Sequence, residues 1–245
     1  MFPIKNTVPT RFPPVVTWGL IAVNCAVFLF QISLNPAELE AFLYYFALIP
    51  ARYFAPLPYG GASGLVDYLP FITNVFMHGG WLHLILNMWT LWLFGGAVED
   101  RLGHGRYLAF YLLCGTAASF SHAALNPDAL VPALGASGAI AGVMGAYVSM
   151  FPLARVIVVV PIIFIPLFFE LHAVVFVGIW FLIQLLQGTV DLLRPSTGAG
   201  VAWWAHIGGF IAGLVLAPLI RRSERNYRPY YPDEGILGFD EWGRR

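Results

Sequence analysis

Apolar residues along this chain are gathered into long runs, and shorter polar stretches separate the runs. A helix needs about 20 largely apolar residues to cross roughly 30 Å of hydrocarbon. Runs of about this length predict an all-α membrane protein with six transmembrane helices. The six predicted spans are residues 15–32, 81–98, 107–124, 136–151, 172–190 and 201–220.

A further apolar stretch, residues 152–171, differs from the six spans in its charge-free length. Arg155 and Glu170 limit the charge-free part to 14 residues, and Pro161 and Pro166 interrupt it. Such a length is typical of an interfacial or re-entrant segment rather than of a crossing. A count of seven spans is the alternative.

Positive charge distinguishes between six and seven spans. Of the 13 Lys and Arg residues, only Arg52 and Arg194 lie outside when six spans follow an inside N-terminus. A seventh crossing would carry the arginine-rich tail to the outside, against the positive-inside rule. We therefore predict cytoplasmic N- and C-termini, with a short N-terminal segment (1–14), a six-helix membrane domain (15–220) and a basic cytoplasmic tail (221–245).

Composition supports a membrane protein and excludes several other classes. Hydrophobic residues make up 59% of the chain and charged residues 11%, with a mean hydropathy of +0.73. This is more apolar side chain than a soluble core of this size can bury. The 13 basic and 13 acidic residues cancel, so no positive field favours nucleic acid. No His, Cys or Glu cluster has metal-ligand spacing, and we predict no metal or other cofactor.

Four polar residues stand out within the predicted spans, where such groups are costly and often functional. They are His83, Asn87, Ser137 and His206, and each stands near the start of an even-numbered span. Since even-numbered spans enter the membrane from the same side, all four are expected in the outer half of the membrane. His83 and Asn87 also share one helix face, because they are four residues apart.

Small residues follow the serine and the histidine along their spans. They are Gly138, Ala141, Gly142 and Gly145 after Ser137, and Gly209, Gly213 and Ala217 after His206. Such stripes let two membrane helices approach closely. Close packing of spans four and six would bring the hydroxyl and the imidazole within hydrogen-bond reach, as a nucleophile and its base. His83 and Asn87 would then offer donors to a developing oxyanion.

These residues stand in motifs that resemble the rhomboid family of intramembrane serine proteases, in its prokaryotic six-helix type. The motifs are Gly135-Ala136-Ser137-Gly138, Ala205-His206-Ile207-Gly208-Gly209, His83 with Asn87 four residues later, and Glu99 to Gly103 after Gly95-Gly96. The resemblance implies that Ser137 is the nucleophile and His206 the general base. It implies that His83 and Asn87, with the Ser137 backbone N–H, form the oxyanion hole. It also implies that the substrates are transmembrane segments of other proteins.

The chain departs from the family pattern at Ala141. Many relatives carry an aromatic residue there, four positions after the nucleophile, packed against the catalytic histidine. We therefore expect another residue, such as one from span five, to orient His206. Glu99 and Arg101 are expected to tie the inner end of span two to its neighbours.

Each of these residues also has a structural interpretation. Ser137 can act as a helix N-cap, and His206 can bond a carbonyl in a helix bundle. His83 and Asn87 can hold helices together. A second Gly-Ala-Ser-Gly sequence, at 61–64, lies in a Pro- and Gly-rich loop and is predicted to be a turn. Two other functions stay open: a rhomboid-like protein that binds membrane helices without cleaving them, and a small transporter.

The expected location is the plasma membrane, with the active site facing the outer side, because the sequence shows no transit peptide. The expected partners are transmembrane-helix substrates and the lipid bilayer. Nucleic acid is not among them, and the sequence leaves the oligomeric state open.

Overall fold

The computed structural model of the protein describes residues 2–54, 64–162, 165–193 and 202–221. Within that part helices predominate, and three strands form one small sheet. The helices are α1 (Val15–Ser33), α2 (Pro36–Phe46), α3 (Ala51–Phe54), α4 (Pro70–Thr73), α5 (Trp81–Leu102), α6 (His104–Leu125), α7 (Ser137–Met150), α8 (Ala173–Leu193) and α9 (Trp203–Ile220), with short 3-10 turns at Leu65–Tyr68 and Asn74–Phe76; the strands are β1 (Phe2–Asn6), β2 (Arg155–Ile162) and β3 (Ile165–His172). The predicted tail beyond Arg221 and the serine of the second Gly-Ala-Ser-Gly sequence lie outside the described residues.

Five of these helices, α1, α5, α6, α8 and α9, are long and apolar enough to cross a membrane. They correspond to five of the six predicted spans. The fourth predicted span is the 14-residue helix α7, and its length of about 21 Å is shorter than the hydrocarbon layer. Most residues of α7 are buried, and irregular backbone at membrane depth is tolerated where protein surrounds it. Neighbouring protein therefore surrounds this short helix.

The apolar stretch at residues 152–171 contains β2 and β3 instead of a membrane-embedded helix. β2 holds the β-branched run Val-Ile-Val-Val-Val, which favours a strand. The two strands pair antiparallel, with Pro161 opposite Pro166, and β1 pairs with the other edge of β2. Val156 and Val158 of β2 are buried. The prediction of an all-α protein is therefore wrong for this stretch.

Glu99, near the end of α5, caps the first turn of α1. Its carboxylate accepts hydrogen bonds from Val16 N (2.9 Å), Thr17 N (2.8 Å) and Thr17 Oγ1 (2.7 Å). The first turn of α1 has neither an acidic residue nor a side-chain cap of its own, so these N–H groups need an outside partner. The neighbouring Asp100 accepts two further backbone N–H groups just before α1. The expectation that Glu99 ties this end of span two to its neighbours is confirmed.

Three contacts join the termini of several helices at one end of the bundle. Glu99 joins the end of α5 to the start of α1. Arg106 Nη1 donates to the Ile220 carbonyl at 3.2 Å and joins the start of α6 to the end of α9. The pairing of β1 with β2 joins the chain before α1 to the chain after α7. The starts of α1 and α6 therefore share one end with the ends of α5, α7 and α9.

α7 and α9 touch through their backbones. A β-carbon added at Gly209 would overlap the Gly138 carbonyl oxygen, and one added at Gly213 would overlap the Gly142 carbonyl oxygen. These contacts confirm that small residues pack spans four and six together. Because both glycine pairs repeat at a spacing of four residues, the contact runs along the helices and sets their relative height.

We expect Gly209→Ala to destabilise the protein, because the added methyl group meets the Gly138 carbonyl and forces α7 and α9 apart. Overpacking of this kind costs about 1–3 kcal/mol in the free energy of unfolding. The measurement is denaturant-induced unfolding of the full chain in detergent micelles. Gly178→Ala in α8 is the matched control, since its added β-carbon has nothing within 4 Å among the described residues. Equal stability of the two variants would contradict the backbone contact.

We expect Glu99→Gln to lower the free energy of unfolding by about 1–3 kcal/mol, because an amide cannot accept at both positions and leaves a buried donor unpaired. The same unfolding measurement tests this. Glu40→Gln, at an exposed position of α2, removes an equal charge without a buried partner. If both variants unfold at the same denaturant concentration, Glu99 does not cap α1.

Candidate active site

Ser137 and His206 stand at the same end of the two closely packed helices. Ser137 is the first residue of α7, and His206 lies near the start of α9. The Ser137 Oγ and His206 Nε2 atoms are 2.8 Å apart. Both residues are half-buried, so the pair lies at the edge of the packed core. The geometry allows the hydroxyl proton to pass to the imidazole.

The second ring nitrogen of His206 also has a partner. Its Nδ1 lies 2.7 Å from Oε1 of Gln184, a buried residue of α8. The rings of Trp180 and Trp203 flank the imidazole, with centroids 5.9 Å and 6.3 Å from its own. Gln184 belongs to span five, one of the places in which a residue that orients His206 was expected.

His83 borders the same small space as the Ser137 hydroxyl. Gly135, two residues before the serine, has a positive φ of 131°. A β-carbon at Gly135 would lie 2.9 Å from His83 Nε2 and 3.7 Å from Ser137 Oγ. Glycine accommodates both the backbone conformation and the contact with the ring. The glycine thus lets the imidazole of α5 approach the start of α7.

Asn87 lies one helical turn after His83, on the same face of α5. It is buried, and its Nδ2 has no hydrogen-bond partner within the described part of the chain. The Ser137 backbone N–H has no intrahelical partner, because it belongs to the first turn of α7. The structure therefore brings Ser137, His206 and His83 together, and Asn87 follows on the face that carries His83.

His78, just before α5, supports His83 from one side. The two rings pack edge to face with centroids 5.1 Å apart. Gln31 of α1 holds the backbone at His78: its Oε1 accepts from His78 N (3.0 Å) and its Nε2 donates to His78 O (3.2 Å). Burial, and next the His83 ring, lower the pKa of His78 to about 4. His78 is therefore uncharged at neutral pH and packs as a neutral ring.

Asn74 holds the loop that leads to Ser137. Gly135 N donates to the Asn74 carbonyl at 2.9 Å, and Asn74 Nδ2 donates to Ser119 Oγ of α6 at 2.8 Å. A cavity of about 20 Å³ lies between these residues and Ser137, with room for one water-sized group. A larger cavity of about 150 Å³ lies at the other end of the bundle beside Glu99, whose carboxylate already caps α1.

Three amide residues that support this site were missed by sequence reasoning: Gln31, Asn74 and Gln184. All three are buried. The rule that singled out His83 and Asn87, that polar groups are costly inside apolar segments, also identifies Gln31 and Gln184 as candidates, whereas Asn74 precedes the second predicted span. Their partners depend on how the helices are rotated against one another, and the sequence pattern of a single helix does not contain that rotation.

Residues 65–223 match the family model described as the Rhomboid domain, and this match covers more than half of the 245 residues. The chain belongs to the rhomboid family. The matched region contains Ser137, His206 and the elements that position them.

Several other rhomboid proteins are similar to this chain. Rhomboid protein 1, mitochondrial, from Saccharomyces cerevisiae is 29% identical over 226 residues, which cover 88% of this chain and 56% of that protein. Presenilin-associated rhomboid-like protein, mitochondrial, from Homo sapiens is 30% identical over 153 residues, which cover 61% of this chain and 35% of that protein. Rhomboid protease GluP from Bacillus subtilis is 41% identical over 81 residues, which cover 32% of this chain and 15% of that protein. The matches thus span about half the length of these relatives, or less.

The similarity contradicts the predicted location in the plasma membrane. The yeast and human rhomboid relatives are named as mitochondrial proteins, and they point to a mitochondrial membrane instead. The prediction relied on the composition of the first residues, and span lengths could not correct it because hydrocarbon thickness is similar in many membranes. The assignment to a prokaryotic six-helix type stays a prediction.

We expect Gly135→Ala to destabilise this rhomboid protein by about 1–3 kcal/mol, because a residue with a β-carbon is strained at this positive φ. Its methyl group also meets the His83 ring. His83→Ala removes the ring and leaves the backbone strain, so the double variant should lose less stability than the two single losses added together. Unfolding in detergent measures all three variants, and strictly additive losses would contradict the contact between Gly135 and His83.

Proposed function

We propose that this rhomboid protein is an intramembrane serine endopeptidase that cleaves transmembrane segments of other membrane proteins. The observation that carries the proposal is the 2.8 Å contact between Ser137 Oγ and His206 Nε2. Two helices that touch backbone to backbone hold this pair. The relative GluP, which is named as a rhomboid protease, supports the same class of reaction.

In the proposed reaction, His206 Nε2 accepts the Ser137 proton while Oγ attacks the substrate carbonyl carbon. The carbonyl oxygen becomes negatively charged in the tetrahedral intermediate. His206 then donates its proton to the leaving amine, the C–N bond breaks, and an acyl group remains on Ser137. A water molecule that gives its proton to His206 hydrolyses this ester and restores the serine.

We assign stabilisation of the oxyanion to His83, Asn87 and the Ser137 backbone N–H. The His83 ring borders the space beside the serine hydroxyl. Asn87 offers an amide N–H₂ without a partner among the described residues. Donors that are already in place where charge develops stabilise the transition state without reorganisation. The start of α7 adds partial positive charge from the helix dipole.

The substrate reaches this site from the lipid bilayer in our proposal. A transmembrane helix satisfies its own backbone carbonyls within the lipid. The segment to be cut therefore has to unwind locally before Ser137 can attack. The half-buried positions of Ser137 and His206 leave them open to the unwound segment and to water.

We further propose that α7 counts as a membrane segment, so that residues 15–220 form a six-helix domain. The pairing of β1 with β2 supports this count, because the chain before α1 and after α7 meets at one end, as four crossings require. The contact of Arg106 with Ile220 supports the same count between α6 and α9. Residues 1–14 and 221–245 then lie on the same side of the membrane.

We expect purified protein to react with a fluorescent fluorophosphonate and to cleave a transmembrane reporter in proteoliposomes. Ser137→Ala should abolish labelling, because the attacked hydroxyl is gone. His206→Ala should reduce both signals by at least about 1,000-fold, because the base that activates the serine is lost. Ser149→Ala is the matched control, since this hydroxyl lies at the other end of α7 and bonds only its own helix in the described structure.

Wild-type labelling that persists in Ser137→Ala would contradict the assignment of the nucleophile. Absence of both labelling and cleavage in folded wild type would favour a rhomboid protein that binds membrane helices without cutting them. Solute flux through proteoliposomes that persists in Ser137→Ala would favour a transporter.

A further inference from the structure

We propose that Gln184 is a positioning residue that selects the tautomer of His206. Its side-chain oxygen accepts a hydrogen bond from the Nδ1–H of the imidazole and thereby leaves Nε2 unprotonated, ready to accept the proton of Ser137. This inference rests on the proposed function, because it names the residue that prepares His206 as a base.

The contact between Gln184 and His206 joins two helices inside the bundle. Gln184 Oε1 and His206 Nδ1 are 2.7 Å apart. Gln184 is 5% exposed, so water does not compete freely for its amide. On the other side of the amide, Gln184 Nε2 donates to the Trp180 carbonyl one turn earlier in α8, at 3.3 Å.

The Trp180 carbonyl determines which way the amide points. A carbonyl only accepts hydrogen bonds, so the amide nitrogen of Gln184 has to face it. The amide oxygen then faces His206, and because that oxygen also only accepts, Nδ1 of His206 has to carry the proton. A neutral imidazole holds a single proton, so Nε2 is unprotonated. The partner of Nε2 is the Ser137 hydroxyl at 2.8 Å, which therefore donates.

The hydrogen bonds therefore run in one direction through the site. The serine hydroxyl donates to the imidazole, the imidazole donates to the amide, and the amide donates to a main-chain carbonyl. The last acceptor belongs to a helix backbone and cannot rotate. Because this series of hydrogen bonds ends on a fixed acceptor, the hydroxyl and imidazole protons are held in one arrangement. General-base catalysis requires that arrangement.

An uncharged partner suits this depth in the membrane. A carboxylate in the place of Gln184 would carry a large desolvation cost. The amide provides the acceptor and the geometry without that cost. It orients the imidazole, but it does not neutralise the imidazolium that forms during the reaction. We therefore assign to Gln184 the positioning of His206 and not the stabilisation of its charge.

Two indole rings restrict the imidazole further. Trp180 lies tilted beside His206 and Trp203 meets it edge-on. On the side of α7, the residue one turn after Ser137 is Ala141, whose methyl group offers little surface for packing against a ring. Support for His206 therefore comes from α8 and from Trp203 of its own helix, and Gln184 supplies the polar part.

The test compares Gln184→Met, which keeps the side-chain length and removes the acceptor, with Gln184→Glu, which keeps an acceptor oxygen. The control is Gln187→Met, an exposed position of the same helix. We expect Gln184→Met to lower kcat by about 100-fold, the cost of a misplaced catalytic group, with KM unchanged. Because burial keeps this carboxyl group protonated, Gln184→Glu retains both an acceptor for His206 and a donor for the Trp180 carbonyl, and it should recover most of that loss. Gln187→Met should match wild type.

A spectroscopic measurement reads the tautomer independently of cleavage. In protein labelled with ¹⁵N-histidine, the signals that disappear in His206→Ala belong to His206. We expect wild type to show a protonated Nδ1 and an unprotonated Nε2 at this residue. Gln184→Met should shift His206 towards the tautomer that carries its proton on Nε2.

These measurements separate failure of the inference from failure of the proposed function. Wild type that cleaves its reporter while Gln184→Met retains full kcat would overturn the role of Gln184 and leave the protease assignment intact. A protonated Nε2 in neutral wild-type His206 would overturn it as well, even if Gln184→Met does not fold. Wild type that neither cleaves nor labels would overturn the proposed function, and the tautomer would still show whether Gln184 orients the ring.

Discussion

The backbone contact between α7 and α9 is the constraint on which the candidate site depends. Lipid supplies little hydrophobic force to bring two apolar helices together, so close packing of small residues has to hold them. Gly209 stands against the Gly138 carbonyl and Gly213 against the Gly142 carbonyl. Sliding one helix along the other would break both contacts at once. The relative height of Ser137 and His206 therefore follows from glycines that take no part in the chemistry.

Glu99 and Asn87 lie towards opposite ends of α5 and differ in whether their polar atoms have partners. Buried polar groups in a membrane protein need partners, because lipid offers none. At one end, the Glu99 carboxylate is fully engaged by donors from α1 and by His104 Nδ1 at 2.6 Å. At the other end, Asn87 keeps an N–H₂ group without a partner among the described residues. A buried donor left unpaired calls for an explanation, and the oxyanion of the proposed reaction provides one.

Several elements of the site were predictable from the sequence, because they depend on patterns within a single helix. Hydropathy along one helix shows where it can cross, and a spacing of four residues shows which side chains share a face. Ser137 and His206, and the glycines below them, were found in this way. The strands at 152–171 were not predicted, because a run of β-branched residues is as apolar as a membrane-spanning segment. These two strands pair with each other, and β1 adds a contact from the far end of the sequence, with Phe2 opposite Val159.

The sequence alone determined that this is a membrane protein, which polar residues lie at the starts of its spans, and which small residues let two spans meet. Each of these properties belongs to a single helix. The tertiary structure decided that Gln184 faces His206 and that Gly135 makes room for His83. It also decided that Glu99 caps a helix more than 80 positions away in the chain. These contacts depend on how separate helices are rotated and offset against one another, and packing sets that arrangement only when the whole chain is folded.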